Sequence, residues 1–207
     1  KPRAALMDPE TLVFLFLIAA FATLVIPIGV SLGDGVAWAL SDLSTSGLTF
    51  TNSPVRESIP LPILVLPSLI GGSALSAAGG VKIARLIVLG RRADQEFRQL
   101  GYRRSVLGFR FRDRDLDERS VIGVWVYLIA YIVAVFVMMI GFSFLSLPFE
   151  ETIRLSIGGL TNSGALLLGH TDNLDGGTTG LLILSMLLGR LEILAVIPAL
   201  SPSFWRG

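Results

Sequence analysis

Uncharged apolar stretches alternate along this chain with short polar breaks. Positions 12–32 carry no charge, and about 20 such residues suffice to cross a bilayer. Pro27 and Gly29 predict a kinked or frayed far end. Gly33-Asp34-Gly35 reads as a turn, and 36–43 as a helix of about two turns, too short to span. Next comes Thr45-Ser46-Gly47-Leu48-Thr49, small, polar and centred on a glycine, and Asn52-Ser53-Pro54 breaks the chain again. Positions 58–81 are uncharged but contain Pro60, Pro62 and Pro67, and 71–80 has almost no side-chain bulk. Lys82 and Arg85 follow in a helix-like run to Leu89.

From 90 to 120 the character changes to nine Arg and six acids. The excess of positive charge places this linker on the cytoplasmic side. The Arg run is either a topological signal or a docking surface for a cytosolic partner. Positions 121–147 are uncharged and span with some tilt. Pro148-Phe149-Glu150-Glu151 is a break, and its acids favour the N-terminus of a short helix over 152–160. A second glycine-centred stretch follows, Thr161-Asn162-Ser163-Gly164-Ala165, and then an external loop over 169–177. The last apolar run, 178–200, is interrupted by Arg190 and Glu192, and Trp205 and Arg206 anchor the end at the cytoplasmic interface.

The two halves repeat. A shift of 117 positions lays Leu43, Ser46 and Gly47 on Leu160, Ser163 and Gly164, and Gly72 on Gly189. Both halves read span, short helix, glycine-centred loop, span. The same shift sets Arg190 opposite Ser73. An Arg inside a span costs ~2.5 kcal/mol or more, so it needs acceptors. The carbonyls freed by the broken stretch 71–80 are suitable, and Glu192 is the competing partner. The pattern predicts an all-α membrane protein of two span–re-entrant loop–span repeats, 1–90 and 121–207, joined by the cytoplasmic linker 91–120, with both termini on the linker's side.

Composition agrees. Of 207 residues, 52% are hydrophobic and 16% charged, with mean hydropathy +0.71, against about 25% charge in a soluble domain. The absence of cysteine excludes disulfides and thiolate metal sites. Lys1-Pro2-Arg3, without an initiator Met or a signal-peptide pattern, reads as the middle of a longer protein.

These elements suit a cation path. A short helix dipping in from outside points its partially negative C-terminus at the membrane centre. Extended backbone beyond it presents carbonyls, and the two together stabilise a dehydrated cation. Thr45, Ser46, Gly47 and Leu48 in one half, and Thr161, Asn162, Ser163 and Gly164 in the other, are the candidate filter residues. Carbonyls of Thr45, Ser46, Gly47, Asn162, Ser163 and Gly164 are the candidate ligands. Glycine at 47 and 164 gives the backbone the needed angles. Asp34, Glu57, Asp172 and Asp175 are either solvated loop charges or a means of concentrating cations.

The motifs Leu43-Ser44-Thr45-Ser46-Gly47-Leu48-Thr49, Gly71-Gly72-Ser73-Ala74 through Gly79-Gly80-Val81-Lys82, Thr161-Asn162-Ser163-Gly164 and Leu188-Gly189-Arg190-Leu191-Glu192 carry a family resemblance, as does the ending Pro202-Ser203-Phe204-Trp205-Arg206. With them the chain resembles the Trk/Ktr-type potassium uptake transporters of bacteria. The resemblance implies half of a four-repeat, potassium-channel-like pore in the bacterial plasma (inner) membrane, with this chain similar to the third and fourth repeats and the first two missing from it. It implies a gate built from Gly71, Gly72, Ser73, Gly79, Gly80 and Lys82 and engaged by Arg190. Potassium is then the permeant ion, with sodium or proton as candidate coupling ions and no covalently bound cofactor. The implied partners are the lipid bilayer, a second copy in a homodimer and a cytosolic nucleotide-binding ring of the RCK type, with no nucleic acid. Leu75 and Ala77 depart from the Gly and Thr the family often has there.

Two other readings stand beside it. One is a non-conducting or truncated pore subunit. The other is an enzyme: Ser163-Gly164 and His170 superficially resemble an intramembrane serine protease. Thr161 stands where that motif needs Gly, however, and His170 lies six residues on in a polar loop, where a base must reach its nucleophile.

Overall fold

The computed structural model describes residues 8–48, 54–73, 76, 78–101, 110–111, 114–115, 118–171 and 174–191. Among the described residues the regular structure is helical apart from a ribbon in which Arg110–Phe111 (β1) pairs antiparallel with Arg114–Asp115 (β2). The helices are α1 (Pro9–Val25), α2 (Leu32–Leu43), α3 (Pro54–Ser58), α4 (Leu61–Ile70), α5 (Ile83–Gly101), α6 (Glu118–Phe144), α7 (Phe149–Thr161), α8 (Gly164–Leu167) and α9 (Gly176–Arg190). A 3-10 turn, Ile26–Ile28, extends α1.

Two helical segments, Pro9–Ile28 and Ile122–Phe144, are long and apolar enough to cross a membrane. The outward faces of α1 and α6 are apolar, with Phe16 70% and Phe136 59% exposed. The inward face of α1 buries Phe21, Ala22 and Val25 against α2, where Phe21 meets Trp38 edge to face. Lipid chains are as apolar as these side chains, so close packing rather than water expulsion holds such helices together. Small residues allow it: a Cβ on Gly35 would lie 3.0 Å from the Ala22 carbonyl.

The expected repeat is present in the backbone. Helices α2 and α7 begin 117 positions apart. Each is preceded by a left-handed residue at matching positions, Gly29 (φ 90°) and Ser146 (φ 59°), and each ends at another, Thr45 (φ 49°) and Asn162 (φ 53°). The same turn follows both helices. Thr45 N donates to the Asp42 carbonyl at 3.2 Å and Asn162 N to the Gly159 carbonyl at 3.1 Å. Ser46 N reaches the Ser41 carbonyl at 3.2 Å and Ser163 N the Gly158 carbonyl at 3.0 Å. The matching glycines also play the same part: Gly72 packs near the Leu43 carbonyl, and Gly189 lies so close to the Leu160 carbonyl that a Cβ would overlap it.

Three expected boundaries move. The short helix of the first half starts at Leu32 rather than 36, because Ser31 Oγ caps it by accepting from Asp34 N at 3.2 Å. The turn expected at 33–35 is thus its first turn. Its counterpart α7 starts at Phe149 rather than 152, and Glu150 pairs with Arg154 at 2.8 Å along it. Positions 58–81 are not one span: α4 stops at Ile70, and α5 then passes unbroken beyond 90, where the linker was expected to begin. Of the run 178–200, positions up to 190 form α9, and the remainder beyond 191 lies outside the described residues.

Asp175 caps α9, and the Thr178 amide bonded to its carboxylate holds its pKa below the ordinary 3.8. A depressed carboxylate favours the folded chain above its ordinary value and loses that contribution as pH falls through the lowered one. The midpoint of thermal unfolding is therefore expected to fall between neutral pH and about pH 3 less steeply in Asp175→Asn than in the parent chain. Equal slopes would show that the cap does not titrate in this way.

Candidate functional site

The C-terminal ends of α2 and α7 meet. The first loop, Ser44 to Leu48, turns through left-handed Thr45 and through Gly47 at φ 71°. A Cβ on Gly47 would lie 3.3 Å from Gly164 Cα and from the Ala165 amide nitrogen. The two glycines singled out in the sequence are therefore in contact, 117 positions apart in the chain. In the second loop the left-handed residue is Asn162, whereas Gly164 opens α8. Backbone freedom at 164, expected from glycine, is thus supplied two positions earlier by a residue type that tolerates this region. Thr161 and Ser163 are fully buried, and Leu48 is 58% exposed.

Among the described residues, 71–73, 76 and 78–82 bring the chain back to the end of α4. The amides of Val81 and Lys82 donate to the carbonyls of Leu69 and Ile70, each at 2.9 Å, and Ile83 N donates to the Gly72 carbonyl at 3.0 Å. These bonds satisfy the orphan carbonyls at the end of α4. Positive φ at Gly71, Gly80 and Lys82 makes the return possible. Gly79 touches both glycine-centred stretches. Gly79 N donates to Thr45 Oγ1 at 3.2 Å, and the Gly79 Cα lies so close to the Thr161 carbonyl that a Cβ would overlap it.

Two further tethers hold the loop. Ser73 Oγ donates to Glu10 Oε2 at 2.8 Å, from the buried start of α1. Tyr127 of α6 donates its hydroxyl to the Gly80 carbonyl at 3.3 Å, and the Arg85 guanidinium lies 3.7 Å above the Tyr127 ring. Arg190 ends α9 with an exposed side chain. Its expected alternative partner Glu192 lies outside the described residues, as do Leu75 and Ala77.

Of the four loop acids, Asp34 and Asp175 serve local structure. Asp34 accepts from Ser31 Oγ at 2.7 Å in the cap of α2, and Asp175 caps α9. Glu57 lines an open cleft with Pro60, Phe149 and Arg154. Asp172 lies outside the described residues. The protease pairing is absent: His170 Nδ1 lies 3.9 Å from Glu151, while Ser163 Oγ is buried within 3.1 Å of Ser68 Oγ.

No family model matches the chain. It is 31% identical to the Trk system potassium uptake protein TrkH of Escherichia coli (strain K12) over 171 residues, 81% of this chain and 35% of that protein. The TrkH of Vibrio parahaemolyticus is 33% identical over 167 residues, covering 79% and 34% of the two chains. The crystal structure of the potassium transporter TrkH from Vibrio parahaemolyticus superposes with a TM-score of 0.78 at 30% identity, covering 96% of this chain and 45% of that one. This chain belongs to the TrkH family. It spans about a third of the length of these curated TrkH relatives. They carry the names of potassium uptake proteins, not of enzymes.

Four residues that meet the glycine-centred stretches or the segment between them carry no signal of it in the sequence: Glu10, Asp42, Ser68 and Tyr127. A single acid near the start of an apolar run (Glu10) or in a short helix (Asp42) gives no sign of a distant partner. Gly79→Ala is expected to push the loop off the Thr161 carbonyl. Amide hydrogen exchange over 78–83 should then rise well above that of the parent, whereas parental protection would show that the close approach is not needed.

Proposed function

We propose that this chain forms half of a potassium-selective pore and serves potassium uptake across a bacterial plasma membrane. The observation that carries the reading is the meeting of Gly47 with Gly164 where α2 and α7 end, with the 71–82 loop against both stretches. The partially negative ends of the two helices converge there and favour a cation. Carbonyls of Thr45, Ser46, Gly47, Asn162, Ser163 and Gly164 replace its water. The loop 71–82 is the gate, loosened when its tethers to Glu10, Thr45 and Tyr127 give way, and Arg190 restrains it. The names of the relatives support potassium as the ion; we take sodium or proton as the candidate coupling ion.

Two repeats make half of a four-part wall. The other two come from further sequence joined to this half or from a second copy. A homodimer seated on a cytosolic nucleotide-binding ring fits the long α5 and the basic linker, which we place in the cytoplasm together with both termini. The competing reading is a non-conducting pore subunit. Flux through liposomes carrying the full-length product of the gene separates the two, and absence of potassium flux there favours the latter.

A side chain at position 47 would meet both a left-handed backbone and the Gly164 segment. Gly47→Ser is therefore expected to lower potassium-over-sodium preference in that assay, and an unaltered preference counts against the filter assignment. Arg190→Ala is expected to raise basal flux at equal protein level, and equal or lower flux counts against its role at the gate.

A further inference from the structure

Asp42, in the last turn of α2, has no exposed surface. Its Oδ1 accepts from Arg56 Nη2 at 2.9 Å, an ion pair between positions fourteen apart. The pair joins the end of the short helix to α3, and the whole first filter stretch, 45–48, lies between its two ends. Ser68 Oγ of α4 lies 3.4 Å from the same carboxylate oxygen and 3.1 Å from Ser163 Oγ in the second stretch. A carboxylate only accepts, so both contacts are satisfied when Ser163 donates to Ser68 and Ser68 to Asp42. One chain of buried polar groups thus runs from Arg56 through Asp42 and Ser68 to the other half's filter.

The repeat shows that this carboxylate is not a structural necessity of the fold. The positions matching Asp42 and Ser68 are Gly159 and Ser185. Ser185 there turns back to the Leu182 carbonyl of its own helix at 2.8 Å. It packs so close to Gly159 that a Cβ would overlap its hydroxyl. The second stretch is held differently, by Asn162 Nδ2 donating to the Met186 carbonyl at 3.2 Å. A glycine and a serine therefore suffice to build this junction, yet the first half keeps a buried charge in it. Burying an ion pair is costly and adds little net stability over an apolar filling. Its value lies in fixed geometry, because neither partner can leave without stranding the other.

We propose that Asp42 and Arg56 form a clasp that sets the ion preference of the filter, and that Ser68 passes the position of the first stretch to the second through Ser163. Asp42, Arg56 and Ser68 are positioning residues, and none of the three touches the ion. The inference rests on the filter reading given above.

The test uses the full-length gene product and reads potassium-over-sodium preference together with hydrogen exchange over 44–48 and 161–165. Arg56→Lys and Ser68→Ala, both mild changes, are expected to lower the preference, Arg56→Lys by roughly tenfold. Ser68→Ala is expected to raise exchange in both stretches together. Asp42→Asn combined with Arg56→Gln should be no worse than the more damaging single change, as expected of a coupled pair. Parental preference in Arg56→Lys and Ser68→Ala, with only a lower unfolding midpoint, would overturn the clasp, as would exchange that rises in neither stretch or in one alone. If Gly47→Ser changes the preference and these variants do not, the clasp alone falls. If Gly47→Ser also leaves it unchanged, the filter reading falls with it.

Discussion

Backbone polar groups cannot be left bare at membrane depth, and that constraint shapes every irregular stretch of this chain. Water is not there to bond them, and each orphan costs several kcal/mol, on the order of a lost hydrogen bond or more. Among the described residues, the chain leaves the helix after α2, α4 and α7 and supplies substitutes at each of these places. After α2 and α7, left-handed residues fold the next amides back on the helix end, at 3.0–3.2 Å in both repeats. After α4, which Pro67 has already deprived of one helical bond, the loop 71–82 returns its own amides to the last carbonyls. The loops are therefore short, glycine-rich and locked, not loose connections.

This solution explains why the repeat was legible and its details were not. A shift of 117 positions found it because no insertion separates the matched elements between 29 and 72. The residue types at equivalent positions nevertheless differ. Thr45 and Asn162 share a left-handed backbone, as do Gly29 and Ser146, and nothing in their chemistry requires the match. Reading backbone freedom from glycine alone therefore placed it at Gly164 instead of Asn162. Helix starts were missed for a related reason: Gly33 and Gly35 look like turn residues until the Ser31 cap assigns them to a first helical turn.

Gly47, Gly164 and the low-bulk stretch 71–80 were visible because their composition is unusual within apolar surroundings. The tethers were not, since each joins residues far apart in sequence. Glu10 meets Ser73 across 63 positions, Ser68 meets Ser163 across 95, and Tyr127 meets Gly80 across 47. No period or motif encodes such pairs. They form only when packing brings helices together, and a lone polar side chain gives the same signal whether it faces water or a buried partner.

The two repeats share a backbone but not a means of anchorage, and the loop between them depends on both. Gly79 has room for neither a side chain nor much displacement, because its amide is engaged by Thr45 and its Cα rests on the Thr161 carbonyl. Any movement that opens the proposed gate must release one filter stretch, the other, or both. A channel whose gate was remote could open without disturbing the groups that choose its ion. Under the reading proposed above, the contacts of Gly79 with Thr45 and Thr161 would belong to both parts, and gating and ion choice would share a structural origin. The polar chain from Arg56 through Asp42 and Ser68 would then hold the first stretch in place while the neighbouring segment moves.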